Sequence, residues 1–73
     1  MSNDDILNNP KYRVFACLDQ CDMIVQVRVA LRDDPSKFVQ RHRHVTLKQC
    51  RLDDYQLIVS IMAKECEKEL ENA

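Results

Sequence analysis

Two neighbouring segments of this chain alternate apolar and polar residues, and that alternation constrains the fold more than any other feature. Residues 11–18 (KYRVFACL) and 23–32 (MIVQVRVALR) both have a period of two, which is typical of half-buried β-strands. A turn at residues 19–22 separates them, so the pattern predicts an antiparallel hairpin. Four apolar cross-strand pairs define its predicted register: Leu18 with Met23, Ala16 with Val25, Val14 with Val27, and Tyr12 with Val29.

A third strand is predicted over residues 38–47 (FVQRHRHVTL), which are apolar at both ends and polar in the middle. A turn at residues 33–36 precedes it, because Pro35 suits the second position of a type I turn. We expect this strand to lie at an edge of the sheet, where its charges discourage further pairing.

Two registers are open for the third strand, and they differ in what they place on the core face. Pairing Leu31 with Phe38 places the two histidines there. A shift of one residue places Arg41 and Arg43 there instead. Burying two arginines costs more than burying two neutral imidazoles, so we prefer the first register.

The C-terminal part predicts one long amphipathic helix over residues 48–73. Thr46 and Gln49 have the form of a capping box, and Asp53 and Asp54 offer a later start. Apolar residues then recur at steps of three and four. This stripe is wider than one face of a small sheet can cover, and we predict it as a helix-packing or dimer face: Leu52, Tyr55, Ile58, Val59, Ile61 and Met62.

The predicted fold class is α+β, with a three-stranded antiparallel sheet (β-β-β) followed by a long C-terminal amphipathic helix. We expect residues 1–73 to form one domain, with an arm or short helix at 1–10, a meander at 11–47 and the helix at 48–73. A chain this short buries only about 60% of the surface that its unfolded form exposes. Small domains often complete their core by oligomerising, so we expect a homodimer joined by helix faces or sheet edges.

The composition excludes several classes of function. The chain has no glycine, and a Walker A loop, a dinucleotide fingerprint and a nucleophile elbow each need one. No apolar run approaches the ~20 residues of a membrane span. The sequence places no serine, cysteine and acid around the two histidines as a catalytic group. We therefore expect no enzyme activity, no cofactor and no membrane partner.

The four cysteines bear on compartment and on metal binding. The N-terminus, MSNDDILNNP, is acidic where a signal peptide would be basic and then apolar, so we expect a cytoplasmic protein with reduced thiols. A small zinc-binding domain is a minor alternative, although a zinc knuckle usually has a Cys-x2-Cys spacing that is absent here. Its four candidate ligands are Cys17, Cys21, His42 and His44.

Charge is partitioned along the chain, although the net charge is only −1. Residues 1–25 carry −2 and residues 52–73 carry −4, whereas residues 26–51 carry +5. The preferred registers align three arginines in one row of the outer sheet face, which is unfavourable unless a partner supplies negative charge. Two alternatives stay open: the acidic helix end satisfies these arginines, or water does. The predicted partner- or anion-binding residues are Arg13, Phe15, Gln26, Arg28, Arg41 and Arg43.

These features predict a small non-enzymatic intracellular interaction module, a regulator or inhibitor that binds a larger macromolecular partner. The alternative is a DNA- or RNA-binding protein that uses the basic sheet face. A protein partner is favoured over nucleic acid, because nucleic-acid-binding modules usually carry a net positive charge.

The order of a short helix, three strands and a helix is similar to that of double-stranded-RNA-binding domains and of the Alu-binding proteins of the signal recognition particle. The resemblance covers most of the chain, but it lies in element order and not in motif. The lysine-rich start of the last helix, which marks the RNA-binding domain, is replaced here by Arg51-Leu52-Asp53-Asp54. Element order alone assigns no function.

Overall fold

Residues 6–72, the part of the chain that a computed structural model describes, fold into a three-stranded antiparallel sheet with one long helix against it. This confirms the predicted α+β class. Residues 1–5 of the predicted N-terminal arm lie outside the described residues. The strands and helix are β1 (Tyr12–Asp19), β2 (Ile24–Leu31), β3 (Asp34–His44) and α1 (Leu52–Asn72), with short 3₁₀ turns at Ile6–Asn8 and Lys48–Cys50.

The core lies between α1 and one face of the sheet. The central strand β2 supplies three fully buried valines from alternate positions, because successive side chains of a strand point to opposite faces. No helix in residues 6–72 has both the length and the apolarity needed to cross a membrane. The core residues include Val25, Val27 and Val29 from β2, and Ile58, Val59, Met62, Ala63 and Cys66 from α1.

The first hairpin joins the predicted segments, but its register differs from the predicted one by two residues. Leu18 lies opposite Val25 rather than Met23. The reason is local: Oδ1 of Asp19 accepts the backbone N–H groups two and three residues further on, at 3.0 and 3.2 Å. This moves the turn one residue along, and Met23 closes it with a left-handed φ of 53°. A shift of two residues preserves the faces, so the predicted side chains still point toward α1.

The second hairpin turns earlier than predicted and contains a bulge. Leu31 pairs with Asp34. The next pair along the ladder joins Ala30 to Phe38, so a two-residue turn is followed by three residues of β3 without partners in β2. The predicted turn around Pro35 is wrong, because this proline lies in the bulge, where its missing N–H is not needed for pairing.

The bulge gives β3 the register that we did not prefer. Val27 lies opposite Arg41 and Val25 lies opposite Arg43, so both arginines are on the helix side of the sheet. The prediction is wrong because it treats that side as buried along its whole width. Since β3 is an edge strand, the side chains of Arg41 and Arg43 keep 45% and 44% of their surface exposed. Their stems lie along the sheet while their charged ends reach water.

Both predicted helix starts are used, in succession. Oε1 of Gln49 accepts the Thr46 N–H (2.8 Å), and Oγ1 of Thr46 accepts the Gln49 N–H (3.3 Å), as in a capping box. These bonds hold the 3₁₀ turn Lys48–Cys50 rather than the α-helix. The helix α1 begins after it, with Asp53 and Asp54 in the first turn, where negative charge is favourable.

Candidate interaction face

The side of the sheet away from α1 is not covered by any helix or strand of residues 6–72, and we call it the open face. Its side chains alternate along each strand with those that face the core. They come from all three strands, and they are Arg13, Phe15, Cys17, Asp19, Ile24, Gln26, Arg28, Ala30, Phe38, Gln40, His42 and His44.

Two phenylalanines of the open face are half exposed, although phenylalanine is usually buried. Phe15 is 51% exposed and Phe38 is 48% exposed. The guanidinium carbon of Arg28 lies 4.9 Å from the ring centre of Phe38, and that of Arg13 lies 5.8 Å from the ring centre of Phe15. Both distances fall within the range of cation–π attraction. The face therefore presents two aromatic rings, each with a positive charge over it.

Arg28 occupies the middle of the open face. Phe15 lies opposite it on β1 and Gln40 lies opposite it on β3. Its Nε donates a hydrogen bond to Oε1 of Gln40 at 3.1 Å. A shallow depression of about 170 Å³ opens beside these residues, and Cys17 and Gln26 also line it. Arginine has five N–H donors, so the others are left for a partner.

The predicted row of three arginines does not form. Arg13 lies opposite Ala30, and Arg28 has phenylalanine and glutamine as neighbours, so the like-charge contact expected there does not arise. The residues of β3 on the open face were not predicted. The sequence signal that could have found them was Pro35, because proline occurs at bulges in edge strands as well as in turns, and the bulge sets the register of β3. Four of the six predicted binding residues do lie together on the open face: Arg13, Phe15, Gln26 and Arg28. The other two, Arg41 and Arg43, lie on the helix side of the sheet. Strand β3 instead contributes four residues that were not predicted: Phe38, Gln40, His42 and His44.

Arg41 and Arg43 form ion pairs with α1 instead. Arg41 contacts Glu69, and Nη2 of Arg43 lies 3.9 Å from Oε2 of Glu65. All four side chains are about half exposed. Such surface pairs contribute about 0.2–1 kcal/mol each, and salt weakens them. The acidic end of the helix therefore neutralises the two arginines that the sequence had assigned to binding.

Tyr12 connects β1 to the C-terminal end of α1. Its hydroxyl donates a hydrogen bond to Oε2 of Glu71 at 2.8 Å, and its side chain is buried. Burial, the hydrogen bond to Glu71 and the negative charges of Glu71 and Glu67 raise the pKa of Tyr12 from 10.0 to about 12. The proton is thus held between the strand and the helix.

The candidate zinc ligands do not converge. Cys17 and His42 share the open face, but Gln26 lies between them in the register, and Cys21 lies in the first turn. Within the described range 6–72, no group of three or more His, Cys, Asp or Glu side chains is placed to hold a metal ion. The four cysteines are free thiols, and burial raises the pKa of Cys66.

The residues predicted as a helix-packing or dimer face divide into two groups. Leu52 and Ile61 are exposed, and so is Leu57, which the predicted stripe omits. Tyr55 is half-buried, and burial raises its pKa. The other three are buried in the core against the sheet: Ile58, Val59 and Met62.

Comparison with known proteins adds no further constraint. No family model matches the chain, and no curated protein and no solved structure matches it.

Proposed function

We propose that this chain is a small non-enzymatic interaction module, a regulator or inhibitor that binds a larger protein through its open face. The observation that supports the proposal is the pair of half-exposed phenylalanines, each with an arginine over its ring, on a sheet face without other cover. Aromatic residues and arginine are enriched at the centres of protein interfaces, where a few such residues supply most of the binding energy.

The charge of the open face indicates the chemistry of the partner's surface. Arg28 lies in the middle of the face, Arg13 lies near the start of the edge strand β1, and Asp19 lies at the other end of that strand. A guanidinium binds a carboxylate through two parallel hydrogen bonds, and it keeps its charge at all relevant pH values. The partner surface proposed here therefore carries Asp or Glu side chains around an apolar or aromatic contact.

A nucleic acid is the second candidate partner. Exposed aromatic rings on a sheet, with arginines beside them, favour it, because such rings stack on unpaired bases. The register of β3 disfavours it, because Arg41 and Arg43 lie on the other side and only two arginines remain on the open face. Each phosphate contact adds about 0.7–0.9 to the log–log salt slope, so two contacts give a slope below about 2. The net charge of −1 also favours a protein partner.

This proposal can be tested by using the protein as bait to capture partners from a lysate of the native host, with and without nuclease treatment. Phe38→Ala and Arg28→Gln each remove one contact of the open face and leave the core intact, which circular dichroism can check. We expect a captured protein that survives nuclease treatment and is lost with either variant. Leu57→Ala is the matched control, because it removes an exposed apolar side chain from α1, and it should leave capture unchanged.

Two outcomes would overturn the protein-binding proposal. Capture that neither open-face variant weakens would show that the open face is an ordinary solvated surface. Capture that nuclease abolishes, with a marked salt dependence, would select the nucleic-acid alternative instead.

The proposal includes a homodimer in the cytoplasm. A chain of 73 residues has a marginal core, and self-association is a common way to complete one. Free cysteines, two of them exposed, suit a reducing compartment. Light scattering at micromolar concentration should give twice the monomer mass. A monomer mass would reject the homodimer and leave the open-face proposal standing.

A further inference from the structure

We infer that the second copy in the proposed homodimer pairs with the outer edge of β1, in an antiparallel arrangement centred on Ala16. The two three-stranded sheets then form one sheet of six strands, with both open faces on one side and both helices on the other. This inference rests on the proposed homodimer, and it goes further by naming the surface and the register.

The main chain of β1 has hydrogen-bonding groups directed toward this edge. The carbonyl of Lys11 accepts the N–H of Arg32 at 3.0 Å, so odd-numbered residues of β1 direct their N–H and C=O groups toward β2. Even-numbered residues direct theirs outward, and in the middle of the strand these are Val14, Ala16 and Leu18. Within residues 6–72, no strand pairs with this edge.

The strand β1 lacks the features that protect an edge from pairing. It contains no proline and no bulge, and its residues 14–18 carry no charge. The opposite edge strand, β3, carries Pro35 in a bulge and two arginines. An uncharged, regular edge favours the addition of a further strand. A second copy of the same edge offers matching donors and acceptors around a two-fold axis.

The position of α1 leaves room for the second copy. The helix packs mainly over β2 and β3. On the helix side of β1, Ala16 is therefore exposed, and Val14 and Leu18 are only partly buried. Pairing would bring these apolar side chains from both copies together and remove them from water, which is favourable.

Charge complementarity selects the register. With Ala16 opposite its own copy, Arg13 lies opposite Asp19 of the second copy, and the reverse pair also forms. Both are non-hydrogen-bonded pairs, in which side chains approach most closely. Oδ1 of Asp19 already accepts two backbone N–H groups, and the carboxylate has capacity left for a guanidinium. A register displaced by two residues places Arg13 opposite Cys17 or Cys21. The first of these registers brings Asp19 opposite Lys11 instead, but Lys11 precedes β1 and its ammonium lies over the Tyr12 ring, 5.4 Å from the ring centre.

Two other surfaces are less suited to a dimer. Leu57 and Ile61 of α1 are exposed one turn apart, but these two side chains make only a small apolar patch, and the third exposed side chain, Leu52, points about 140° away from Leu57. The open face places Arg28 near its centre, so a two-fold axis through that face would bring two arginines toward each other.

Charge reversal tests the register by analytical ultracentrifugation. Arg13→Glu turns two attractive pairs into two repulsive ones, and should raise the dimer dissociation constant on the order of 30-fold. Asp19→Asn keeps an oxygen for the turn and removes the repelling charge, so the double variant should recover most of the affinity. Arg28→Glu is the matched control, because it makes the same charge change on the same face away from the edge. It should leave dimerisation unchanged.

Cross-linking tests the centre of the interface. In a chain with Cys17→Ser and Cys21→Ser, Ala16→Cys places two thiols opposite each other, with Cα atoms about 5.5 Å apart, which suits a disulfide. Val14→Cys places the two thiols about 13 Å apart along the strands. Mild oxidation should therefore yield a covalent dimer with Ala16→Cys and none with Val14→Cys.

The possible failures are distinguishable. A dimer that Arg13→Glu does not weaken and Ala16→Cys does not cross-link overturns the β1 interface and leaves the homodimer standing. A covalent dimer through Phe15→Cys in place of Ala16→Cys overturns the register. A monomer at every concentration overturns both the inference and the proposed homodimer, but not the open-face proposal.

Discussion

Removing the hydroxyl of Tyr12 is expected to destabilise the protein at neutral pH and to stabilise it, relative to wild type, in alkali. The hydroxyl donates to Glu71 at 2.8 Å, and Tyr12→Phe removes that bond while it keeps the buried ring. A hydrogen bond to a charged group contributes about 1.5–3 kcal/mol. Because Glu71 is exposed, water replaces part of that energy. We therefore expect a loss of about 1 kcal/mol in the free energy of unfolding at neutral pH.

The sign reverses in alkali because of the raised pKa. Folding raises the pKa of Tyr12 from 10.0 to about 12. Above about pH 10, the unfolded chain releases a proton that the folded chain retains, so the wild type loses stability as the pH rises. The complete difference, about 2.7 kcal/mol, is reached only above about pH 12, where the folded chain also ionises. Tyr12→Phe escapes this loss, so the two stability curves should cross at about pH 10.7.

Urea unfolding followed by far-UV circular dichroism measures both free energies over this pH range. A direct readout comes from Tyr55→Phe, which leaves Tyr12 as the single tyrosine of the chain. The near-ultraviolet absorbance of tyrosinate then reports the ionisation of Tyr12 alone. A stability difference that stays constant with pH, or a Tyr12 that ionises near its ordinary value, would refute the reasoning.

Three further predictions concern the core, the helix pairs and the thiols. Met62→Ala should lower the free energy of unfolding by about 2–5 kcal/mol, whereas Ile61→Ala, at a half-exposed site, should cost less than about 1 kcal/mol; urea denaturation measures both. A double-mutant cycle between Arg41 and its glutamate partner on α1 should give a coupling of at most about 1 kcal/mol that vanishes in about 1 M salt, without any effect on open-face binding. Cys21 should react at once with a thiol reagent, and Cys66 only on unfolding; equal rates would contradict the burial of Cys66.

The element order follows from local patterns that a single sequence carries. Period-two alternation predicts β1 and β2, and steps of three and four predict α1. The error in the first register has little consequence, because it is an even number of residues and both faces keep their side chains. Asp19 is the cause of that error. Its carboxylate accepts two backbone N–H groups of the turn and so sets where the turn lies. The alternation of apolar and polar residues carries no information about these hydrogen bonds.

The third strand shows where sequence patterns stop being sufficient. Its register depends on a bulge after Pro35, and the energetic argument against placing Arg41 on the helix side assumed a buried position. Two facts of tertiary packing remove that cost: β3 lies at the edge, and Glu69 of α1 lies within reach. Neither fact can be read from residues 38–47 alone. Because the predicted register of β3 is wrong, Phe38 was not predicted as part of the candidate site, although it supplies one of the two aromatic rings of the open face.

The bulge in β3 also affects how this protein responds to insertions and deletions. Irregular segments at strand ends commonly tolerate a change in length. Here three residues between Asp34 and Phe38 have no partners in β2, so the loss of one residue can be absorbed there while Ala30 stays opposite Phe38. Loss of Ser36 alone should therefore leave Arg41 and Arg43 on the helix side, because three steps from Asp34 to Phe38 fit regular alternation between the two faces. A side-chain contact between Arg41 and α1 that persists in the magnetic resonance spectra of that deletion variant would show this. One lost codon at this point would then leave the side chains of the open face unchanged.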